Sequence, residues 1–249
     1  KNDVNPDLQN EKIYAAELGY GFVNRNFRLN VNGYYSVWDD ISQLASFQAE
    51  NGQSVNAFVS DLKETHLGIE LDAQYTINRW VNIGGLLSIG DWKYSNDPVA
   101  DLYDDQTQEP IGQGTLYLKD LKVPDQPQTQ VGLNANFRIA KRIDLGAQWL
   151  YYANLYAQYT LEDRTNPDDR AQAWKLPSYG IVNARAAWRF QFAGLDSQFQ
   201  VNCYNLFNTT ALVEAEDRAV EDNGVYTHTF RKGFWAWGRN FNFALKVNF

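Results

Sequence analysis

The chain of 249 residues lacks a long apolar run. A membrane-spanning helix needs about 18 or more consecutive apolar residues, and no stretch of this sequence approaches that length. By hydropathy alone, the sequence would therefore be classified as that of a soluble protein. A transmembrane β-barrel would give the same result, because each of its strands needs only about 9–11 residues of alternating character. The absence of such a run excludes a helical membrane protein but is compatible with a transmembrane β-barrel.

Cysteine, methionine and positive charge are also scarce. A single cysteine, Cys203, excludes an internal disulfide framework. The formal net charge of −8 argues against a nucleic-acid partner, whose phosphates require a basic surface. The chain has no methionine and begins at Lys1 without a signal peptide. We therefore expect it to be a processed product or a fragment.

Aromatic residues, in contrast, make up 15% of the chain and also end it. The last ten residues alternate between apolar Phe241, Phe243, Leu245, Val247, Phe249 and polar Asn240, Asn242, Lys246, Asn248, with Ala244 as the small exception. A period of two predicts a β-strand with one apolar and one polar face. A chain that ends on such a strand is typical of outer-membrane barrels, where the apolar face meets lipid.

The same alternation recurs along the chain and predicts nine strands. In order they are IYAAELGYGF, FRLNVNGYYSVW, HLGIELDAQYTI, VNIGGLLSIGDW, TQVGLNANFRI, IDLGAQWLYYANLYAQY, YGIVNARAAWRF, SQFQVNCYNLFN and NFNFALKVNF.

The connections between these segments alternate between short and long. Short turns are predicted at residues 24–26, 78–80, 140–142 and near Gly194, and long polar connections at residues 46–56, 95–126, 160–177 and 209–233. The long connections carry most of the acidic residues, whereas the short turns carry Arg25, Arg79, Lys141 and Arg142. This pattern indicates short periplasmic turns and long extracellular loops. A soluble β-sandwich is the alternative, but it seldom combines such long strands with such unequal connections.

We therefore predict an all-β fold, a transmembrane up-and-down antiparallel β-barrel. Nine strands is an odd number, whereas bacterial single-chain barrels have an even number. With a periplasmic C-terminus, the first strand would be entered from the extracellular side. We therefore expect the chain to be the C-terminal part of a larger barrel, interrupted within an extracellular loop.

Six stretches, taken in order, resemble one family of membrane barrels. They are NPDLQNEKIYAAELGYGF, HLGIELDAQYTI, VPDQPQTQVGLNANF, LPSYGIVNARAAWRF, VNCYNLFN and GRNFNFALKVNF. Each resembles a stretch of the C-terminal barrel of TonB-dependent outer-membrane receptors, including the family's NLF motif at Asn205, Leu206 and Phe207. Each motif is weak alone, but their order and spacing agree over nearly the whole chain. The sequences of these motifs most resemble those of receptors from Bacteroidota.

The resemblance implies a 22-stranded barrel in a Gram-negative outer membrane, of which residues 1–249 form the last nine strands. It implies an N-terminal plug domain and a Ton box, neither of which is in this sequence, and energy from TonB with ExbB and ExbD. It also implies contact with membrane lipid and lipopolysaccharide, and a surface lipoprotein of the SusD type as a candidate partner. The NLF motif has a structural role in this family. No cofactor is implied.

Histidine and carboxylate residues supply weak candidates for catalysis or metal binding. His66 and His228 fall on the predicted extracellular side without Ser-His-Asp, HExxH or paired-cysteine spacing. We interpret them as surface-loop histidines without a catalytic role, and we do not predict an enzyme. A weak calcium candidate with hard oxygen ligands is formed by Asp101, Asp104, Asp105 and Glu109. This set lacks the glycine-containing spacing of a calcium loop, so a solvated acidic loop is the preferred interpretation.

Parity along the strands predicts which side chains meet lipid and which face the lumen. Lipid-facing side chains are predicted at Phe137, Leu145, Val182, Phe199 and Phe243, and also at Cys203 as a small inert hydrophobe. Lumen-facing side chains are predicted at Asn134, Gln148, Arg185 and Asn242. The charged residues of the polar faces should pair with one another or with a plug; they are Arg28, Glu70, Asp72, Arg138, Arg185, Arg189 and Lys246.

The same parity, carried to the extracellular ends of the strands, predicts a ligand-binding rim. Its members are Tyr34, Trp38, Asp40, His66, Trp92, Tyr94, Tyr152, Asn154 and Tyr156. Aromatic rings with polar atoms can stack on a sugar or a flat chelate and hydrogen-bond its edges. The alternative is that these rings only brace loops or pack on a plug. Trp235 and Trp237 share parity with Phe241 and are predicted in the lipid-side aromatic girdle.

Two function classes remain open. The chain can be part of an active transporter that imports a scarce ligand, such as a siderophore or another metal chelate, an oligosaccharide or a peptide. It can also be part of an adhesin or structural barrel whose loops bind partners. An upstream plug with a Ton box would distinguish the two.

Overall fold

The computed structural model describes residues 9–49, 52–140 and 142–249. The NPDL motif, which falls within residues 1–8, and Lys141 lie outside these ranges. In the described ranges no helix is long and apolar enough to cross a bilayer. The elements there are β1 (Lys12–Val23), β2 (Phe27–Gln48), β3 (Ser54–Asn78), β4 (Val81–Tyr94), β5 (Val99–Asp104), β6 (Pro110–Thr115), β7 (Thr129–Ile139), β8 (Ile143–Ala153), a 3₁₀ turn (Glu162–Arg164), β9 (Tyr179–Phe192), β10 (Leu195–Tyr204), β11 (Leu212–Asp222), β12 (Val225–Trp235) and β13 (Asn240–Asn248).

Nine of these strands form one continuous meander. Their order across the sheet is β1-β2-β3-β4-β7-β8-β9-β10-β13, and every neighbouring pair is antiparallel. Each corresponds to one of the nine segments that the alternating pattern predicts, although β2 and β3 are longer than predicted and β8 ends at Ala153 instead of Tyr159. The prediction of an all-β, up-and-down antiparallel fold is confirmed.

Asparagine side chains shape two of the short turns. Asn24 Oδ1 accepts hydrogen bonds from the backbone N–H groups of Asn26 at 2.9 Å and Phe27 at 2.8 Å. Asn78 Oδ1 accepts in the same way from the N–H of Trp80 at 2.8 Å. A side-chain acceptor of this kind satisfies backbone donors at the reversal, so the chain can turn within a few residues.

The strand register gives the sheet one polar and one apolar face. Directly opposite one another on five neighbouring strands lie Asn136, Gly146, Arg185, Asn202 and Asn242. The adjacent row consists of Phe137, Leu145, Ala186, Val201 and Phe243. Opposed residues point to the same side of an antiparallel sheet, so the two rows lie on different faces.

The residues predicted to face lipid share the apolar face. Val182 lies opposite Trp149, and Phe199 lies opposite Leu245. Cys203 also lies on this face, between strands that bring Ala184 and Phe241 opposite it, and it is buried. Among the residues predicted to face the lumen, Asn134 lies opposite Gln148 on the polar face.

The long connections are more regular than the sequence suggested. β2 runs to Gln48 and β3 begins at Ser54, so most of the stretch at residues 46–56 is a β-ribbon and not an irregular loop. β5 pairs with β3 and with β6, and β11 pairs with β12 in a separate two-stranded sheet. The prediction of loops in these segments is therefore wrong in part, because short runs of alternating polar and apolar residues within them pair as β-strands.

These ribbons build a hydrophobic core of their own, here called the loop-side core. It joins the extended parts of β3 and β5 to the connections that follow β6 and β8. Its buried members are Ala57, Val59, Leu62, Tyr94, Ala100, Leu116, Leu118, Leu121, Tyr159 and Leu161. Burial of these side chains supplies the apolar contact that holds the long connections together.

A buried ionic cluster joins the β11–β12 hairpin to the connection between β8 and β9. Arg164, Asp169, Asp217 and His228 have side chains that are at most 1% exposed. His228 Nε2 lies 2.9 Å from Asp169 Oδ2, and its Nδ1 lies 3.3 Å from Asp217 Oδ2. The prediction that the two histidines lie in surface loops is wrong. The hairpin folds back over His228, and His66 lies within β3.

The geometry of this cluster suits a protonated imidazole, since only the cation carries N–H on both ring nitrogens. With His228 protonated, His228 and Arg164 balance Asp169 and Asp217. With a neutral ring, one buried negative charge is left uncompensated, which is unfavourable. Burial lowers the pKa of His228, as does nearby Arg164, but the carboxylates of Asp217 and Asp169 beside the ring nitrogens outweigh these effects and raise the pKa above its ordinary 6.5.

Hydrogen-exchange protection of the β12 amides should therefore depend on pH. Because the folded-state pKa of His228 is raised, its stabilisation is complete below about pH 6.5 and is lost as the pH rises through the raised value. Between about pH 6.5 and that raised value, protection factors should fall by up to about tenfold per pH unit, and above it they should level off. Exchange followed by mass spectrometry between about pH 6 and 9 measures this.

His228→Gln should show low protection already at about pH 6 and no further fall with pH. His66→Gln is the matched control and should keep the wild-type profile. A wild-type slope that persists in His228→Gln would assign the pH dependence to another group.

Candidate functional site

Four residues of the predicted rim lie together on the polar face of three neighbouring strands. Tyr34 and Trp38 are on β2, His66 is on β3 and Trp92 is on β4. Ser36 lies directly opposite His66, which in turn lies directly opposite Trp92. The parity of the three strands therefore brings these side chains to one place.

Trp38, His66 and Trp92 form a stack of three rings, here called the aromatic ladder. The ring centroids of Trp38 and His66 are 5.5 Å apart with an interplanar angle of 21°. His66 and Trp92 are also 5.5 Å apart, with an angle of 25°. Stacking at this distance is favourable, and the three rings limit one another's rotation. The ladder is therefore formed before any ligand arrives.

Polar groups hold the ladder from both sides. Trp92 Nε1 donates a hydrogen bond to the Tyr34 hydroxyl at 2.9 Å. His66 Nε2 lies 2.9 Å from Glu64 Oε2, and both side chains are less than 20% exposed. Glu64 was not among the predicted residues. Its position two residues before His66, on the same face of β3, was the signal that could have identified it.

Two glycines make room for rings that lie flat on the polar face. A Cβ at Gly90 would lie 2.6 Å from Trp92 Nε1, and a Cβ at Gly68 would collide with the Tyr34 ring. Any larger residue at either position would displace an aromatic side chain. The glycines in LGIEL and SIGDW are therefore part of the site's construction.

A second aromatic pair lies on the same face of β8 and β9. Tyr152 lies directly opposite Tyr179, with ring centroids 5.2 Å apart and an angle of 41°. Tyr179 was not predicted. Asn154 Nδ2 donates to Thr129 Oγ1 at 2.8 Å and so braces the end of β7.

The other predicted rim residues lie apart from the ladder. Tyr94 is buried in the loop-side core, edge-on to Tyr159 at 5.7 Å. Asp40 pairs with Lys12 at 2.5 Å. Tyr156 forms an isolated backbone bridge with Lys175. The structure thus concentrates the predicted set in the ladder and in the Tyr152 pair.

The weak calcium candidate lies on the β5–β6 hairpin, and three of its carboxylates accept hydrogen bonds from neighbouring groups. The four residues are Asp101, Asp104, Asp105 and Glu109. Asp104 Oδ1 accepts from the N–H of Thr107 at 2.7 Å, Asp101 Oδ1 accepts from Gln113 at 2.7 Å, and Asp105 Oδ1 accepts from Asn56 at 2.8 Å. The bonds to Asp104 from Thr107 and the Gln53 side chain lower the pKa of that carboxyl to about 2.

A different acidic group comes together at the bulge in the middle of β2. In the described ranges, ligand atoms of Asp39, Asp40 and Asp61 lie within 4.8 Å of one another. Lys63 Nζ lies 3.1 Å from Asp39 and 3.3 Å from Asp61. Lys12 on Asp40 and Lys63 together supply two positive charges, which offset two of the three carboxylates.

The chain matches one family model over residues 2–206, described as TonB dependent receptor-like, beta-barrel. No curated protein matches its sequence.

Solved structures of outer-membrane receptors share its fold. The ferric-catecholate import receptor Fiu from K12 E. coli aligns over 98% of this chain and 29% of its own, with 15% identity and a TM-score of 0.61. The copper transporter OprC aligns over 98% and 32%, with 14% identity and a TM-score of 0.63. The ferric yersiniabactin uptake receptor FyuA from Yersinia pestis aligns over 96% and 30%, with 15% identity and a TM-score of 0.57.

The chain spans less than one third of the length of each of these three structures. At such low identities the similarity concerns the fold alone. The family match is independent of these alignments and covers more than half of the sequence. The chain therefore belongs to the family of TonB-dependent receptor β-barrels.

Proposed function

We propose that this chain is the C-terminal part of the barrel of an outer-membrane transporter that imports a scarce ligand with energy from TonB. The family match and the uninterrupted antiparallel meander support this proposal. The similar structures are named for ferric-catecholate import, copper transport and ferric yersiniabactin uptake. Further strands complete the barrel, 22 in all, with its C-terminus in the periplasm and its long connections outside the cell.

In this proposal the apolar face meets lipid and the polar face lines the lumen. Many apolar-face side chains are largely exposed, such as Phe243 at 63% and Leu245 at 65%. Lipid would cover these surfaces favourably. Arg185 or Arg189 placed in lipid near the bilayer centre would cost about 2–4 kcal/mol each, which favours the opposite assignment for the polar face.

The observation that supports ligand import best is the aromatic ladder. Trp38, His66 and Trp92 form a rigid apolar surface, with the Tyr34 hydroxyl and the Glu64 carboxylate beside it. Such a surface suits a flat or ring-shaped ligand with polar edges. A metal chelate and an oligosaccharide both have this shape, and a peptide with aromatic side chains offers similar contacts.

The proposed partners follow from the same assignment. An N-terminal plug would fill the lumen, and TonB with ExbB and ExbD would act on it from the periplasm. A surface lipoprotein of the SusD type is the proposed extracellular partner, on the basis of the resemblance to receptors of Bacteroidota.

One observation favours adhesion through the loops as a second candidate function. The ribbons beyond the sheet have their own hydrophobic core and display exposed Leu44, Val99 and Ile111. A shaped, partly apolar surface of this kind can bind another macromolecule. Normal surface adhesion together with no uptake of any solute would favour this function over transport.

Replacing Trp38 and Trp92 together by Ala in the full receptor should weaken ligand binding. Loss of two aromatic anchors is expected to cost about 1–3 kcal/mol. Isothermal titration with a ferric catecholate, maltoheptaose and a tryptic peptide mixture identifies the probe that wild type binds and measures the change in affinity.

Trp149→Ala is the matched control, because Trp149 stacks on Tyr151 at 5.9 Å on the apolar face of β8. Its ligand affinity should equal that of wild type. If the Trp38/Trp92 variant inserts normally and binds with wild-type affinity, the ligand-binding site lies outside the ladder.

Spin labels should separate the two faces of the sheet. Labels at Leu145 and Phe243 should be relaxed by oxygen dissolved in lipid, and labels at Gln148 and Asn242 by a water-soluble nickel complex. The reason is that a strand register allows no intermediate orientation. Aqueous accessibility at Leu145 and Phe243 would show that the faces are reversed.

A further inference from the structure

The polar face leaves most of its charged residues without an ion-pair partner. Of the seven charged residues predicted there, Arg138 and Arg189 form ion pairs in the described ranges, both with Asp144. In the same ranges, Arg28, Glu70, Asp72, Arg185 and Lys246 form none. The positive charges are not spread evenly, because several come together at the end of the sheet that carries the short turns.

Four guanidinium groups line a recess of ≈ 360 Å³ at this end. They belong to Arg79, Arg138, Arg185 and Arg189, and the one carboxylate in the lining is that of Asp144. The recess lies on the polar face, at the opposite end of the strands from the aromatic ladder. Its charge is strongly positive, which the overall negative charge of the chain does not suggest.

The contacts around Asp144 orient these side chains and leave most of their donors unused. Arg138 Nε donates to Asp144 Oδ1 at 3.2 Å, and Arg189 Nη2 donates to Asp144 Oδ2. Arg185 Nη2 donates to Asn136 Oδ1 at 2.8 Å. Each guanidinium has five N–H groups, and the described part of the chain accepts from one on each of these arginines. The remaining donors are available to a ligand in the recess.

Gly146 allows Arg185 to lie flat across the strand. A Cβ at this position would lie 2.6 Å from Arg185 Nε. The Arg185 side chain can therefore cross β8 and reach Asn136 on β7.

We propose that this recess is an oxyanion-binding site for a carboxylate or phosphate group. Planar guanidinium groups bind such groups through paired, charge-assisted hydrogen bonds. The lining carries four cations and one carboxylate, and a second anion reduces the repulsion among the cations. The group can belong to a dissolved anion in the lumen or to an acidic side chain of another part of the polypeptide. The chemistry of recognition is the same for both.

The test is the rate at which phenylglyoxal modifies each arginine of the full receptor, measured by mass spectrometry. Arg28 is the internal reference, because it lies on the same polar face outside the recess. The rates are compared in dilute chloride, in phosphate of the same ionic strength, and in about 1 M chloride, where the Debye length falls to about 3 Å.

If the bound group is a dissolved anion, phosphate should slow the modification of Arg185 and Arg189 by about tenfold relative to that of Arg28. If the bound group is an acidic side chain of the polypeptide, modification of both arginines should be slow in dilute chloride and about tenfold faster in concentrated chloride. It should not change with phosphate. Either pattern supports the site and identifies the source of the anion. Rates equal to that of Arg28 in all conditions overturn the proposal, and so do slow rates that respond to neither salt.

A variant with Arg185→Gln and Arg189→Gln tests whether the guanidinium groups act together. The dependence of Arg138 modification on phosphate or salt should disappear in this variant. Arg25→Gln is the matched control, because Arg25 does not line the recess, and this variant should retain the dependence. Retention in the double variant would show that the recess binds no anion through Arg185 and Arg189.

Discussion

The structure depends on the antiparallel register of nine strands. A side chain changes face with each residue, so a slip of one position on any strand would exchange every polar and apolar side chain of that strand. Arg185 would then leave the polar row that it shares with Asn202 and Asn242. The ladder has the same origin, because His66 faces Trp92 only in this register.

The polar face has two chemically different ends. Near the long connections it presents stacked rings supported by Tyr34 and Glu64, and near the short turns it presents guanidinium groups around Asp144. Glycine in the underlying strands lets large side chains lie flat at both ends. A wall of this kind keeps its large side chains close to the sheet and leaves the space beside it open.

The long connections gain order from two kinds of contact. Apolar burial in the loop-side core ties the ribbons of β3 and β5 to the connection after β8. The ionic cluster around His228 then fixes the β11–β12 hairpin against the connection that precedes β9. Buried ion pairs contribute little net stability, because removing charges from water is costly. We interpret this cluster as specifying the position of the hairpin more than its stability.

The sequence by itself determined the nine-strand meander, the two faces, the short turns and the place of the ladder. All of these follow from a period of two and from local turn chemistry, which neighbouring residues set without help from the rest of the chain. Trp38, His66 and Trp92 could be found because parity carries along each strand to its end.

Only the tertiary structure decided how the long connections fold. It turned Tyr94 into the loop-side core, paired β11 with β12, and buried His228 between Asp169 and Asp217. It also gathered Arg138, Arg185 and Arg189 around one recess. These contacts join residues far apart in the chain. They depend on which segments fold back on one another, and no local period records that choice.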